Sequence, residues 1–197
     1  MREKLTEIVF ESLNFSNFQF TVPASNILHA QGLTTGLVVD MGECSTTMTP
    51  IVDGFILSNA VKRSVLGGQA LLDSLIEGLQ EKKGLHLRTT YEREVIARNI
   101  LMLKQPMVKK GIVPYKLAKK RAEGAFVLPD GTVVDSVTED VNASIQNTFF
   151  DSQSPEKNII SQFIQCVEQD CDVDNRESLR QSVVVSGGTS LVPFLDR

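Results

Sequence analysis

Residues 36–47, with the sequence GLVVDMGECSTT, decide the fold of this 197-residue chain. Leu37–Val39 is a short apolar run rich in β-branched side chains, which predicts a strand buried on both faces. Asp40 ends this strand, and Gly42 follows two residues later. A carboxylate at the exit of a buried strand faces the crevice in which open α/β sheets bind ligands. The stretch predicts either a phosphate site with hydrated Mg²⁺ near Asp40 or a plain β-turn.

A second stretch near the C-terminus, residues 182–190 with the sequence SVVVSGGTS, repeats the pattern of an apolar strand followed by glycines and hydroxyls. Gly187, Gly188 and Thr189 form its turn. Two such turns, far apart in sequence, are what a cleft holding a nucleotide from two sides requires. Each turn also has a structural explanation, in which its glycines only preserve the fold.

Composition is that of an ordinary globular protein, with 42% hydrophobic and 22% charged residues. The net charge of −4 gives no electrostatic case for nucleic-acid binding. The three cysteines, Cys44, Cys166 and Cys171, show no metal-ligand spacing and are interpreted as reduced thiols. The sequence has no apolar run of about 18 residues, so no membrane insertion is expected.

Periodicity and turn residues predict the elements of the first third of the chain. We expect a helix over residues 3–13, a strand over Phe18–Val22, a helix over Ala24–Ala30 and a strand over Thr46–Val52. Asp53-Gly54 predicts a hairpin turn after that last strand.

The sequence predicts mostly helices in the rest of the chain. Gly67-Gly68 opens one helix that Gly84 ends, and Thr89 with Glu92 forms a capping box for another that runs to about Lys104. Residues 126–134 predict a hairpin, residues 135–154 show no clear pattern, and Ser154-Pro155 predicts the start of a further helix.

Residues 104–121 carry seven basic side chains and no acidic one. Such a segment indicates either contact with phosphate or an acidic partner, or a solvated basic surface. Few aromatic residues interleave the basic ones, which argues against single-stranded nucleic acid.

Several motifs occur in one order that resembles the second half of actin and of actin-related proteins. Besides the two glycine turns and Gly67-Gly68, they are TTYERE at 89–94, LPDG at 128–131 and CDVDNR at 171–176. The resemblance covers the whole chain and implies an α/β fold of the actin-like ATPase, sugar-kinase and Hsp70 type, with a mixed β-sheet and flanking helices. Residues 1–197 would form one partial actin-like domain, in which about 65–175 is a smaller helical lobe inserted between the two phosphate-side strands.

The resemblance implies ATP or ADP with Mg²⁺ as the ligand, bound between two lobes. Carried over residue by residue, the nucleotide-binding positions are Asp40, Gly42, Glu43, Arg98, Gly187, Gly188 and Thr189, with Asp40 also near the magnesium through water.

Departures from the family pattern concentrate in the ligand chemistry. Cys44 replaces a glycine whose amide meets phosphate, and Thr47 stands where actin has a histidine associated with hydrolysis. A hydroxyl has no comparable ability to transfer protons near neutral pH. Residues 100–102 are apolar where actin contacts adenosine, and Val192 replaces the aromatic residue that packs on adenine. We therefore expect weak or absent hydrolysis and assign no catalytic residue. The sequence leaves both nucleotide binding and its loss as alternatives.

The chain also lacks counterparts of the first lobe and of the last helices of actin. Half of an ATP clamp is expected to bind ATP poorly and to leave strand edges and apolar helix faces exposed.

The main functional hypothesis is a divergent actin-related protein that serves as a structural subunit of a cytoplasmic, cytoskeletal assembly. Expected partners are actin or actin-related proteins. Gly67–Leu71 and Phe149–Asp151 favour the actin-related subunit at the pointed end of dynactin, which adds dynactin components to that list. The alternatives are a conventional ATP-binding, filament-forming actin and an actin-related subunit of a nuclear chromatin-remodelling complex.

Overall fold

The computed structural model describes residues 1–85, 89–92, 97–101, 126–127, 133–135, 137–151 and 158–192. The helices are α1 (Arg2–Glu7), α2 (Pro23–Ala30), α3 (Gly68–Lys83), α4 (Arg98–Leu101), α5 (Val137–Phe149), α6 (Ile159–Ile164) and α7 (Val173–Gln181). The strands are β1 (Gly36–Met41), β2 (Thr46–Val52), β3 (Phe55–Ile56), β4 (Lys62–Ser64), β5 (Phe126–Val127), β6 (Val133–Val134) and β7 (Val183–Ser186). Two π-helical segments, Ile8–Ser12 and Gln165–Gln169, extend α1 and α6, and a 3₁₀ turn covers Gly188–Leu191.

A five-stranded mixed sheet forms the centre of the described residues. The order along it is β3-β2-β1-β7, with β4 also paired to β2. β1 runs antiparallel to β2, with Asp40 opposite Thr47, and parallel to β7, with Leu37 opposite Val183. This sheet with its flanking helices confirms the predicted fold class.

Helices cover both faces of β1, which explains why the strand is apolar throughout. Leu37 and Val39 belong to the larger core, together with residues of α3, α5 and α7. Val38, on the opposite face, packs with Ala24 and Leu28 of α2. Alternate side chains of a strand point to opposite faces, so burial on both sides requires a continuous apolar run.

The helix α3 follows its sequence pattern closely. Its five predicted inward residues are all buried: Leu71, Leu72, Leu75, Ile76 and Leu79. Gly84 ends the helix in the left-handed conformation with a φ of 63°, and its N–H donates to the carbonyl oxygen of Gln80. That conformation costs a glycine little, which is why the helix stops there.

The strand predicted over Phe18–Val22 is wrong. These residues are irregular and pair with no strand among those described. Phe18 packs edge-to-face against Phe10 and Phe20 instead. Alternating apolar residues form a strand only where a partner satisfies the backbone hydrogen bonds, and aromatic contacts hold this segment in its place.

The helix predicted over residues 3–13 is confirmed, as α1 and its π-helical extension, but of its apolar residues only Val9 is buried. In the second half of the chain, α5 was missed by the sequence reasoning. Ser154-Pro155, the predicted helix start, lies outside the described residues, and α6 begins at Ile159 with Asn158 as its N-cap. The Asn158 side chain accepts hydrogen bonds from the amides of Ile160 and Ser161.

Other predicted features are confirmed where the structure describes them. Thr89 and Glu92 exchange the two hydrogen bonds of a capping box, at 2.8 and 3.2 Å. β5 and β6 form the predicted antiparallel hairpin, and Asp53 and Gly54 take positive φ in a tight turn. The basic segment 104–121 lies outside the described residues. Within the described part of the chain, no helix is long and apolar enough to cross a bilayer.

Candidate nucleotide site

The two glycine turns lie side by side at one edge of the sheet. Because β1 and β7 run parallel, both strands end at this edge. The Thr189 hydroxyl donates a hydrogen bond of 2.8 Å to the carbonyl oxygen of Gly42, which is 147 residues away in sequence. The sequence analysis expected the two turns to hold a ligand from two sides, and the structure brings them into direct contact.

A third turn, Gly67-Gly68, joins them. The Gly68 N–H donates to the Gly42 carbonyl oxygen at 3.0 Å, and the Gln69 N–H donates to that of Glu43 at 2.8 Å. A Cβ atom at Gly67 would lie 2.6 Å from the Glu43 carbonyl oxygen, so only glycine allows the two backbones to come this close. Sequence reasoning placed this pair at a helix start and did not include it in the site.

Gly187 and Gly188 differ in whether a side chain could be accommodated at their positions. Gly187 has a φ of 95°, and a Cβ atom there would lie 2.2 Å from the Met41 carbonyl oxygen and 2.8 Å from Asp40 Oδ1. Packing against β1 therefore explains Gly187 without a ligand. A Cβ atom at Gly188 would meet nothing within 4 Å.

Glu43 and Arg98, two of the predicted nucleotide contacts, bind each other. Arg98 Nη2 lies 2.8 Å from Glu43 Oε1, and Nη1 lies 3.4 Å from Oε2. Both side chains are nearly half exposed, so the pair is worth less than about 1 kcal/mol. Each group neutralises the charge of the other where both line the site.

These residues enclose a small pocket of about 120 Å³. Its lining residues are Glu43, Gly68, Leu72, Arg98, Leu101, Gly188, Thr189 and Val192. Sites for drug-sized ligands usually measure about 300–1,000 Å³. The pocket has room for a phosphate-sized group and not for a whole nucleotide.

Many polar groups of the turns are already engaged within the chain. The Gly42 N–H donates to the Ser45 carbonyl oxygen, and the buried Thr46 hydroxyl donates to that of Leu66 at 2.6 Å. The Thr46 hydroxyl proton is therefore engaged within the chain. The amides of Glu43 and Cys44, by contrast, donate no hydrogen bond within the described part of the chain.

Asp40 stands in a row of polar residues that crosses four strands. In register, Ser186 of β7 lies opposite Asp40, Asp40 opposite Thr47, and Thr47 opposite Arg63 of β4. Directly opposite residues share one face of a sheet, so these four belong to the same face. Arg63 is a cation that the sequence reasoning did not include in the site, since only the pairing of β4 with β2 brings it into the row.

Comparison with known proteins identifies the family of this chain. The family model described as Actin matches residues 1–197, the whole chain. The chain belongs to the actin family.

Relatives of this actin-family chain include proteins named Actin-related protein 2. That of Oryza sativa subsp. indica is 30% identical over 205 aligned residues, which cover 98% of this chain and 50% of the relative. Those of Arabidopsis thaliana and Saccharomyces cerevisiae are each 29% identical with the same coverage. The chain thus spans about half the length of the curated relatives it matches.

Members of the actin family generally bind ATP or ADP with a divalent metal ion. In this actin-family chain, the unengaged amides of Glu43 and Cys44 suit one phosphate group. The described residues contain no cluster of three or more metal-ligating side chains. Asp40 alone would therefore hold a magnesium ion through water.

Proposed function

We propose that this chain is a structural subunit of a cytoskeletal, actin-based assembly whose nucleotide site has degenerated. One observation carries the proposal: the Glu43–Arg98 ion pair lies across a pocket too small for a nucleotide, between turns that are bonded to one another. Hydrogen bonds within the chain support this site even when no ligand is bound.

The residual ligand chemistry would be limited to phosphate. Gly187 allows its turn to pack against β1, the amides of Glu43 and Cys44 would donate to one phosphate group, and Asp40 would orient a hydrated magnesium ion. Adenosine would need space where Leu72, Leu101 and Val192 line the pocket. We therefore expect contact with the phosphate end of ATP or ADP without tight binding of the whole nucleotide.

Hydrolysis is not part of the proposed function. Thr47, which stands at the position of the family's histidine, lies directly opposite Asp40. Its hydroxyl cannot act as a general base near neutral pH. We also infer that residues 65–175 form the smaller, helical lobe of the domain.

The proposed partners are actin or actin-related proteins, with dynactin components among them, in the cytoplasm. A subunit that joins an actin-like assembly needs the actin shape on one face and can lose the ligand chemistry. No direct contact with nucleic acid is proposed, in keeping with the net charge of −4.

The first test is calorimetry with Mg-ATP on the wild-type chain and on Asp40→Ala, with Glu77→Ala as the control for loss of one exposed carboxylate. We expect no binding at micromolar concentration in any of the three. Micromolar binding that Asp40→Ala abolishes and Glu77→Ala preserves would overturn the degenerate site. Release of phosphate from ATP by the wild type would contradict the non-catalytic role.

The second test addresses assembly. The tagged chain is mixed with purified actin or with purified dynactin and recovered on beads, and in parallel it is sedimented alone in Mg-ATP. We expect recovery with at least one of the two and no pellet from the chain alone. Pelleting that depends on ATP would instead favour a conventional filament former.

A further inference from the structure

A groove between β4 and α6 is separate from the small pocket, and the two share no lining residue among those that the structure describes. It measures about 680 Å³ and is open to solvent. We call it the β4 groove. Its lining residues are Lys62, Arg63, Ser64 and Val65 on one side and Ser161, Gln162, Ile164, Gln165 and Gln169 on the other.

The β4 strand presents a free edge to this groove. Among the strands that the structure describes, β4 pairs only with β2. Four consecutive residues, 62–65, line the groove. Alternate side chains of a strand point to opposite faces, so four in succession can line a groove only along the strand's edge. An unpaired edge carries backbone N–H and C=O groups that can accept an added strand.

The charge in the groove is positive and uncompensated at one position. Lys62 forms an ion pair with Asp170. Arg63 is exposed, and its guanidinium has no carboxylate within 4 Å among the described residues. In a chain of net charge −4, this guanidinium offers a specific contact to an acidic group.

Apolar and amide side chains complete the groove. Val65 is 81% exposed and Ile164 is 45% exposed, one on each side. Gln165 and Gln169 line the wall opposite β4. Carboxamide groups both donate and accept hydrogen bonds, which suits the backbone of an extended peptide.

We propose that the β4 groove binds an extended segment of a partner protein. The segment pairs its backbone with β4, places a carboxylate against Arg63 and lays an apolar side chain over Val65 and Ile164. Of the groups that this segment would contact, Arg63 also stands in the Asp40 row, whereas Val65 and Ile164 do not line the small pocket.

The test uses a blocked, fluorescently labelled peptide of seven residues in which valine alternates with glutamate, and a matched peptide with glutamine in place of glutamate. Binding to the 197-residue chain is followed by fluorescence anisotropy, and the contact is located by amide chemical-shift changes in the ¹⁵N-labelled chain. The variants are Arg63→Glu and, as a control with the same charge change at an exposed site, Lys82→Glu.

We expect the glutamate peptide to bind and to shift amides of residues 62–65 and 161–169. Arg63→Glu should weaken binding about tenfold, because an attraction becomes a repulsion, while Lys82→Glu should change it less than about twofold. The glutamine peptide should bind wild type more weakly than the glutamate peptide does, but less weakly than the glutamate peptide binds Arg63→Glu, because it loses the attraction without gaining a repulsion.

Five results would overturn the proposal. The first three are no binding at millimolar peptide, equal losses in the two variants, and shifts confined to other residues. The fourth is displacement of the peptide by millimolar inorganic phosphate, which would make Arg63 part of an anion site on the Asp40 row. If sedimentation instead showed a dimer that Arg63→Glu disrupts, a second copy of the chain would be the occupant, and the partner segment would be rejected.

Discussion

The two walls of the small pocket are stabilised by different interactions. The turn wall consists of three backbone turns tied together by hydrogen bonds from Gly68, Gln69 and Thr189. The helix wall, with Leu101 of α4, meets it through an ion pair between half-exposed side chains, Arg98 and Glu43. Folding requires the turn wall whether or not a ligand binds. Glycine turns therefore reveal the fold, and their presence does not by itself show that a nucleotide binds.

The sharpest test of the turn wall is Gly187→Ala. A methyl group there would collide with the Met41 carbonyl oxygen in a left-handed backbone conformation. We expect a loss of about 3 kcal/mol or more in the free energy of unfolding, measured by urea denaturation. Gly188→Ala is the matched control and should stay within about 1 kcal/mol of wild type. Similar losses in the two variants would show that the turn is not held by its approach to β1.

Alkaline pH should destabilise the hydrophobic core, in a region separate from the turn wall. Burial raises the pKa of the Cys166 thiol from 9.0 to about 12, and proximity to Cys171 adds to the effect. The folded chain therefore holds this proton where the unfolded chain has lost it. The stabilisation is complete below pH 9 and falls by about 1.4 kcal/mol per pH unit between pH 9 and 12.

The measurement is urea denaturation at several pH values on wild type and on Cys166→Ala. The variant should lose part of the alkaline slope, although its cavity lowers stability at every pH. An unchanged slope in Cys166→Ala would assign the alkaline loss to other groups.

The hydroxyl that links the two strand ends should have an intermediate effect. Thr189→Val removes the donor to the Gly42 carbonyl oxygen while keeping the shape of a buried side chain. We expect a loss of about 1–2 kcal/mol in urea denaturation. Ser190→Ala is the comparison, because the Ser190 hydroxyl bonds to Gly187 within its own turn. If Ser190→Ala lowers the free energy of unfolding more than Thr189→Val does, the hydrogen bond between the turns is not what stabilises this edge of the sheet.

The smallest effect is expected at the contact between the walls. A double-mutant cycle with Glu43→Gln and Arg98→Gln should give a coupling energy below about 1 kcal/mol, since both side chains are nearly half exposed. The coupling should fall further in 0.5 M salt, because mobile ions screen exposed charges. A salt-independent coupling above about 2 kcal/mol would mean that the helix wall is held as firmly as the turn wall.

Much of the turn wall could be predicted from the sequence, because the local sequence patterns there agree with the strand pairing of the fold. The apolar run 37–39, with a carboxylate and a glycine at its end, specified both the strand and the position of its turn. The α3 helix was predictable for the same reason, with its leucines on one face and Gly84 at its end.

The failures occurred where a distant partner decides the structure. The Phe18–Val22 segment has strand-like alternation, but none of the described strands lies beside it. The α5 helix was hidden because polar Ser144 and Thr148 stand among its buried residues, although Val137, Val141 and Ile145 follow at helical spacing. Within the site, neither the Glu43–Arg98 pair nor the place of Arg63 beside Thr47 follows from sequence spacing, since both depend on how separate elements pack.

The parallel pairing of β1 with β7 has a consequence for synthesis on the ribosome. Gly42 and Thr189, which close this edge, are 147 residues apart. At about 5–20 residues per second, translation needs about 7–30 s to make the intervening chain. During that time β1 can pair with β2 while its other edge has no neighbour, and such an edge is prone to aggregate. The nascent chain should therefore be a client for chaperones until β7 has emerged.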